Sequence, residues 1–177
     1  MVAATPAFTA KKDTSKTHTI SLFVADKPGV LVRVALVFAR RGYNIESLVV
    51  SPGKDPGFSR MTITSSGDPA TLGQIIQQLK KLVDVVHAID HTGDAIYETE
   101  IALLKVETRG KEDRAELLQI AEHFGCKTVD LTPESMILQV VGDPAKINAL
   151  EEMIQQFRIV ELVRTGRVVM SRGQEMT

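Results

Sequence analysis

Few residues in this chain have chemistry to offer, and the densest group is "ADKPGVL", residues 25–31. Asp26, Lys27, Pro28 and Gly29 separate a stretch of alternating apolar residues from a run with helical periodicity, which marks a strand-to-helix turn. Pro28 fits the first helical turn, where its missing N–H is not needed. Gly29 carries no side chain, so a ligand can come close to the backbone there. The partial positive charge at a helix N-terminus suits a carboxylate or a phosphate. The competing account is a well-made helix start and nothing more. The four histidines are scattered. His87 and His91 stand four apart, but along a strand that spacing separates them by roughly 13 Å, too far to share a metal. Both are expected as exposed or half-buried sheet residues. Cys126 is expected as a small buried side chain at a strand start rather than a nucleophile. Neither GxGxxG nor a P-loop pattern is present, so no nucleotide cradle is supported.

The whole chain bounds what these residues can serve. Its 177 residues suffice for one medium domain or two small ones. A net charge of −1 gives no basic field to draw nucleic acid or a membrane surface. One cysteine excludes an intrachain disulfide and fits a reducing compartment. No stretch approaches the roughly 20 apolar residues of a membrane span. Residues 1–16 are polar, without a secretory apolar core, and are expected as a disordered tail, with a short transit peptide as the alternative. The protein is expected in the cytoplasm.

The tetrapeptide Gly-Asp-Pro-Ala occurs twice, at residues 67–70 and 142–145. Each copy opens an amphipathic helix, with Asp as N-cap and Pro at the first helical position. Leu72, Ile75, Ile76, Leu79 and Leu82 form one apolar face; Ile147, Leu150, Ile154 and Phe157 form the other. Each helix runs into a strand, 84–90 and 159–164. Before the first copy come a strand (18–24), a helix (29–41) with Leu31, Val34, Ala35 and Phe38 on one face, then strands 44–50 and 59–65. Before the second come a strand (100–106), a helix (111–124) and strands 127–131 and 135–141. Gly42 and Gly125 stand where each of these two helices must stop. Both halves are therefore βαββαβ, which predicts an α+β protein of two tandem ferredoxin-like sandwiches. The expected units are residues 17–93 and 94–173, with a short tail at 174–177. Each half is small for a self-sufficient core, so pairing between halves or chains is expected.

The first half resembles an ACT domain, the amino-acid-sensing variant of this fold, whose marker of Asp or Asn, two residues, then Gly matches Asp26-Lys27-Pro28-Gly29. "RRGYNIESL" (40–48), "SRMTI" (59–63), "QLKKLVDV" (78–85) and "IVELVRTGRVVMSRG" (159–173) resemble the regulatory small subunit of acetohydroxyacid synthase, also called acetolactate synthase. The likeness runs from about residue 17 to residue 173. It implies a non-catalytic chain that activates a catalytic large subunit and confers feedback inhibition by branched-chain amino acids, usually valine. Thiamine diphosphate, magnesium and FAD would sit on the large subunit and none on this chain. The effector would lie between two ACT domains of a homodimer. By the same resemblance Gly29 would present N–H groups to the effector carboxylate, Asp26 would accept from its ammonium, and Asn44 would offer a donor and an acceptor across the interface. Asn44 can equally be a turn residue. Val30, Leu31 and Ile45 could line an apolar pocket, but core positions are favoured for all three. The second half has Thr108-Arg109-Gly110-Lys111-Glu112 at the equivalent junction, without the Asp-x-x-Gly pattern, so the effector pocket belongs to the first half.

Rival classes on this fold fare worse. An RNA-binding domain would carry stacking aromatics on its central strands, and residues 59–65 have none. A small phosphatase would need an arginine-bearing anion loop where this chain places acid and proline. A free-standing ACT regulator of another enzyme or of transcription is the remaining alternative.

Overall fold

The computed structural model describes residues 17–174 and Thr177. The expected tail at 1–16 lies outside the described residues. Thirteen elements follow in order: β1 (Thr17–Ala25), α1 (Val30–Ala39), β2 (Ser47–Pro52), β3 (Phe58–Ser66), α2 (Pro69–Leu79), β4 (Val85–Asp90), β5 (Ile96–Glu107), α3 (Lys111–His123), β6 (Lys127–Leu131), β7 (Ser135–Gly142), α4 (Pro144–Ile154), β8 (Ile159–Arg164) and β9 (Val168–Ser171). The first sheet has the order β2-β3-β1-β4 and the second β6-β7-β5-β8, antiparallel throughout. Each half is thus a ferredoxin-like sandwich.

The duplicated Gly-Asp-Pro-Ala does what its residue types dictate. Asp68 accepts from the Thr71 N–H at 2.9 Å, Asp143 from the Lys146 N–H at 2.8 Å, and each Pro stands at the helix start. The Thr71 N–H, then its hydroxyl, holds the Asp68 carboxyl below its ordinary value. Gly42 (φ +70°) and Gly125 (φ +62°) end α1 and α3 in the left-handed conformation. The residue after each bonds five residues back, Tyr43 to Phe38 and Cys126 to Ala121.

The cores are built from equivalent positions. In the first half Ile20, Leu22 and Val24 of β1 meet Met61 and Ile63 of β3, Val34 and Phe38 of α1, and Leu72, Ile75 and Leu79 of α2. In the second, Ala102, Leu104 and Val106 of β5 meet Met136, Leu138 and Val140 of β7, Leu117 and Ala121 of α3, and Ile147, Leu150 and Ile154 of α4. Alternation along the strands sends every second residue away from the helices.

Expectations about the elements and the histidines need correction at four points. The second unit has a strand more than the repeat implies. Val168–Ser171 pairs with Ile96–Thr99, lengthening β5 to twelve residues. Strand β2 begins at Ser47 rather than residue 44, because Glu46 N–H bonds Thr64 and the chain before it turns around Tyr43. Helix α1 begins at Val30, leaving Pro28 in the turn before it. His91 lies past the end of β4 and is buried, its Nε2 2.7 Å from the Ser21 hydroxyl, while His87 is half-buried on the sheet.

Candidate functional site

Residues 26–29 close the turn between β1 and α1. The Asp26 N–H donates to the Gly57 carbonyl at 2.8 Å and the Lys27 N–H to Ala25 at 3.0 Å, so the loop is tied to the β2–β3 connection beside it. Gly29 is the N-cap of α1 at φ +84°, a conformation that other residues reach only with strain. No side chain caps this helix and its first turn holds no acid. Helices α2 and α4 are each closed by an aspartate. Helix α3, which starts at Gly110, has Glu112 and Asp113 in its first turn, and the Asp113 carboxylate accepts from the Arg109 N–H at 2.9 Å. Of the four helix starts among the described residues, α1 alone combines an absent side-chain cap with an absence of acid, leaving positive potential open to an outside anion.

The structure also places a cation there that the residue pattern did not single out. Arg33 is one turn along α1, and its Nη1 stands 3.2 Å from where a Gly29 Cβ would be. It pairs with Asp84, ahead of β4, at 2.6 Å and remains nearly half exposed. The i, i+4 spacing of Gly29 and Arg33 was the available signal.

The other predicted residues divide. Asp26, Lys27, Pro28, Gly29 and Asn44 are exposed. Val30 belongs to the first core and Ile45 packs against it, as favoured for both. Leu31 does not: it is 43% exposed on the outer side of α1, because the buried face is Val30, Val34 and Phe38. Asn44 lies in the loop beyond the far end of α1. Its carbonyl accepts from the buried Ser65 hydroxyl at 2.7 Å, so its backbone is anchored while its side chain faces outward. Tyr43 holds this loop to α2, its hydroxyl donating to the Asp68 carbonyl at 3.3 Å and accepting from the Asp68 N–H at 3.0 Å. Gly67 admits that ring, since an added Cβ would come within 2.1 Å of it.

A ten-residue helix, about 15 Å long at 1.5 Å per residue, therefore separates Gly29 from Asn44. Within one chain the two do not converge on a ligand. A cavity of about 330 Å³ lies elsewhere, at the junction of the halves between His91, Asp94 and Ser171. Its placement away from the uncapped helix argues against it as the effector seat. Among the described residues no three His, Cys, Asp or Glu side chains are grouped to hold a metal, and no helix is long and apolar enough to cross a membrane.

The fold and this loop define a class: tandem ferredoxin-like units of which the first is an ACT domain. The family model described as AHAS small subunit-like ACT domain matches residues 20–87, and that described as small subunit of acetolactate synthase matches residues 99–173. The chain belongs to the acetolactate synthase small subunit family. It is 43% identical over 157 residues to the probable acetolactate synthase small subunit of Methanothermobacter thermautotrophicus, covering 89% of this chain and 94% of that one. Against the acetolactate synthase small subunit of Aquifex aeolicus the identity is 41% over 162 residues, covering 92% and 84%. The crystal structure of the acetolactate synthase small subunit from Thermotoga maritima superposes with a TM-score of 0.79 at 38% identity, covering 90% of this chain and 99% of that one.

Proposed function

We propose that this chain is the regulatory partner of a catalytic acetolactate synthase large subunit, raising its activity and carrying feedback inhibition by a branched-chain amino acid, valine in the first instance. In this reading the thiamine diphosphate, magnesium and FAD reside on the large subunit, and this chain alone makes no acetolactate. The effector binds between the ACT domains of two copies. Its carboxylate lies on the N–H groups at Gly29 of one copy, its ammonium faces Asp26, and Asn44 of the second copy completes the site. The observation that carries the reading is the uncapped, acid-free start of α1 at Gly29, with Arg33 beside it. The separation of Gly29 from Asn44 gives the reason a second copy is needed: an isologous pair can bring opposite ends of the same helix together. Inhibition then follows if the effector binds the low-activity state of the complex more tightly than the active one, a coupling of ~1–3 kcal/mol.

The test is reconstitution. The purified chain is assayed for acetolactate formation alone, with the large subunit, and with large subunit and valine, while sedimentation reports its association state. The expected pattern is no turnover alone, stimulation in the pair, and loss of that stimulation with valine. Turnover that copurifies with this chain, or a stable monomer that nevertheless binds valine, would overturn it.

A further inference from the structure

A ferredoxin-like sheet carries helices on one side and leaves the other to solvent. The first sheet has a polar outer side, with Thr19 and Ser21 on β1 and Thr62 and Thr64 on β3, yet all four are buried. His91 meets Ser21 there, and residues 166–169 with Thr177 lie against the same side. Gly166, at φ +84°, sits so close to β2 that an added Cβ would stand 2.8 Å from the Ser47 Cβ. Arg167 Nη1 reaches the Thr19 hydroxyl at 3.4 Å and the Glu98 carboxylate at 3.5 Å, and Val169 of β9 is buried. Further along, Thr177 is seated in a cup on the same face. Phe23 stacks on Phe58 with ring centres 5.0 Å apart and on His87 at 5.4 Å, and the Arg60 guanidinium lies 5.5 Å over the Phe23 ring. The Thr177 carbonyl accepts from the Arg60 guanidinium and from His87 Nε2, the latter at 3.2 Å. Its hydroxyl accepts from the Ser171 N–H at 2.7 Å.

We propose that β9 and Thr177 form a strap that latches the second half onto the Ser/Thr face of the first, with Arg60 and His87 as the catch for a main-chain carbonyl oxygen. The strap belongs to the second half, because β9 is zipped to β5 from Ile96↔Ser171 to Thr99↔Val168. Catching its end therefore joins the two units. Arg60 is well suited as a catch: stacked on Phe23, its guanidinium is oriented before the carbonyl arrives, so less side-chain freedom is lost on closing. Apart from the Phe23–Phe58 pair, the covered face carries mainly hydroxyls, so opening hands most of it back to water at little cost, and the latch is reversible for that reason. The catch also neighbours the candidate effector loop. Phe58 pairs with Ala25, Arg60 pairs with Phe23, and Gly57 accepts the Asp26 N–H.

Amide hydrogen exchange on the full chain tests it. The Ser171 N–H is bonded to Thr177, not to Arg60, so its exchange reports whether Thr177 is held. Arg60→Gln is expected to speed exchange at Ser171 roughly tenfold, the loss of about one charge-assisted hydrogen bond, while β5–β7 amides stay protected. A chain shortened to residue 173 sets the unlatched rate for β9, and adding Arg60→Gln to it is expected to change β9 no further. Unaltered Ser171 exchange in Arg60→Gln, or a further effect of that substitution in the shortened chain, would overturn the latch. If Arg60→Gln unfolds the first sheet, seen as lost protection in β1 and β3, the shortened chain decides by itself. β9 exchange unchanged from the full-length protein then overturns the proposal.

Discussion

Replacing Gly29 by Asp separates the proposed effector seat from a plain helix start. Two terms set the size of the effect. The first is conformational: Gly29 sits at φ +84°, where a side chain costs about 1 kcal/mol, with Asp among the better tolerated. That term lowers stability and leaves affinity nearly untouched. The second is electrostatic. The new carboxylate would stand where the ligand carboxylate lies, and two like charges ~4 Å apart at an effective dielectric near 20 repel by ~4 kcal/mol. Arg33, with Nη1 3.2 Å from the new Cβ, relieves part of this by turning from Asp84 toward the substituted side chain. Taking the relief as roughly half leaves ~2 kcal/mol, about a thirtyfold loss of valine affinity. Gly29→Ala carries at least as much strain without the charge and serves as the control. Calorimetric titration with valine measures affinity, and acetolactate formation by the reconstituted pair measures inhibition. Stimulation of the large subunit is expected to survive in both variants, with inhibition lost only in Gly29→Asp. A folded Gly29→Asp chain that binds valine within about threefold of the parent would refute the reasoning, and the turn would then be only a helix start.

Asn44→Ala removes a donor and an acceptor from the second copy's side of the same site, and a milder loss of about fivefold in valine affinity is expected by the same titration. Leu104→Ala, in the second core at 0% exposure, is expected to cost about 3 kcal/mol in urea unfolding, whereas Leu103→Ala on the opposite face of β5, 40% exposed, should cost well under half of that. Burial pushes the Cys126 thiol up, partly opposed by Lys146, so iodoacetamide at mildly alkaline pH should label it much more slowly in the native protein than in urea. The Asp68 carboxyl titrates below its ordinary 3.8. Its cap on α2 is therefore complete above that pH and is lost as pH falls through the lower folded value, which the Thr71 amide resonance should follow.

What could be read from residue types was local. The Asp-Pro pairs at both helix starts and the glycines at 42 and 125 act within a few residues, and the structure has each in its expected role. Helical periodicity found the buried faces of α2 and α4 because those helices are apolar on one side only. It misplaced Leu31 because α1 is apolar nearly all round, VLVRVALVFA, so spacing alone could not say which apolar residues face inward. Strand β9 escaped for another reason. Its partner, Ile96–Thr99, is about seventy residues earlier in the chain, and no local signal links four-residue stretches at that distance. His91 was misjudged because its burial depends on Ser21, a contact across the sheet rather than along the chain. At the candidate site the loop was legible in its glycine and Arg33 only through its i, i+4 spacing from it, while the Tyr43 clamp became visible once α1 and α2 had a geometry.

The Ser/Thr side of the first sheet bears on how the chain can be made. Synthesis completes β4 while Gly166 and everything after it has yet to leave the ribosome. At 5–20 residues per second that interval lasts on the order of several seconds. During it the nascent first unit, folded around its own core, shows water a surface of hydroxyls at Thr19, Ser21, Thr62 and Thr64. An apolar surface in that position would invite premature partners. Hydroxyls can wait, solvated, until the later-made residues 166–171 arrive to displace the water.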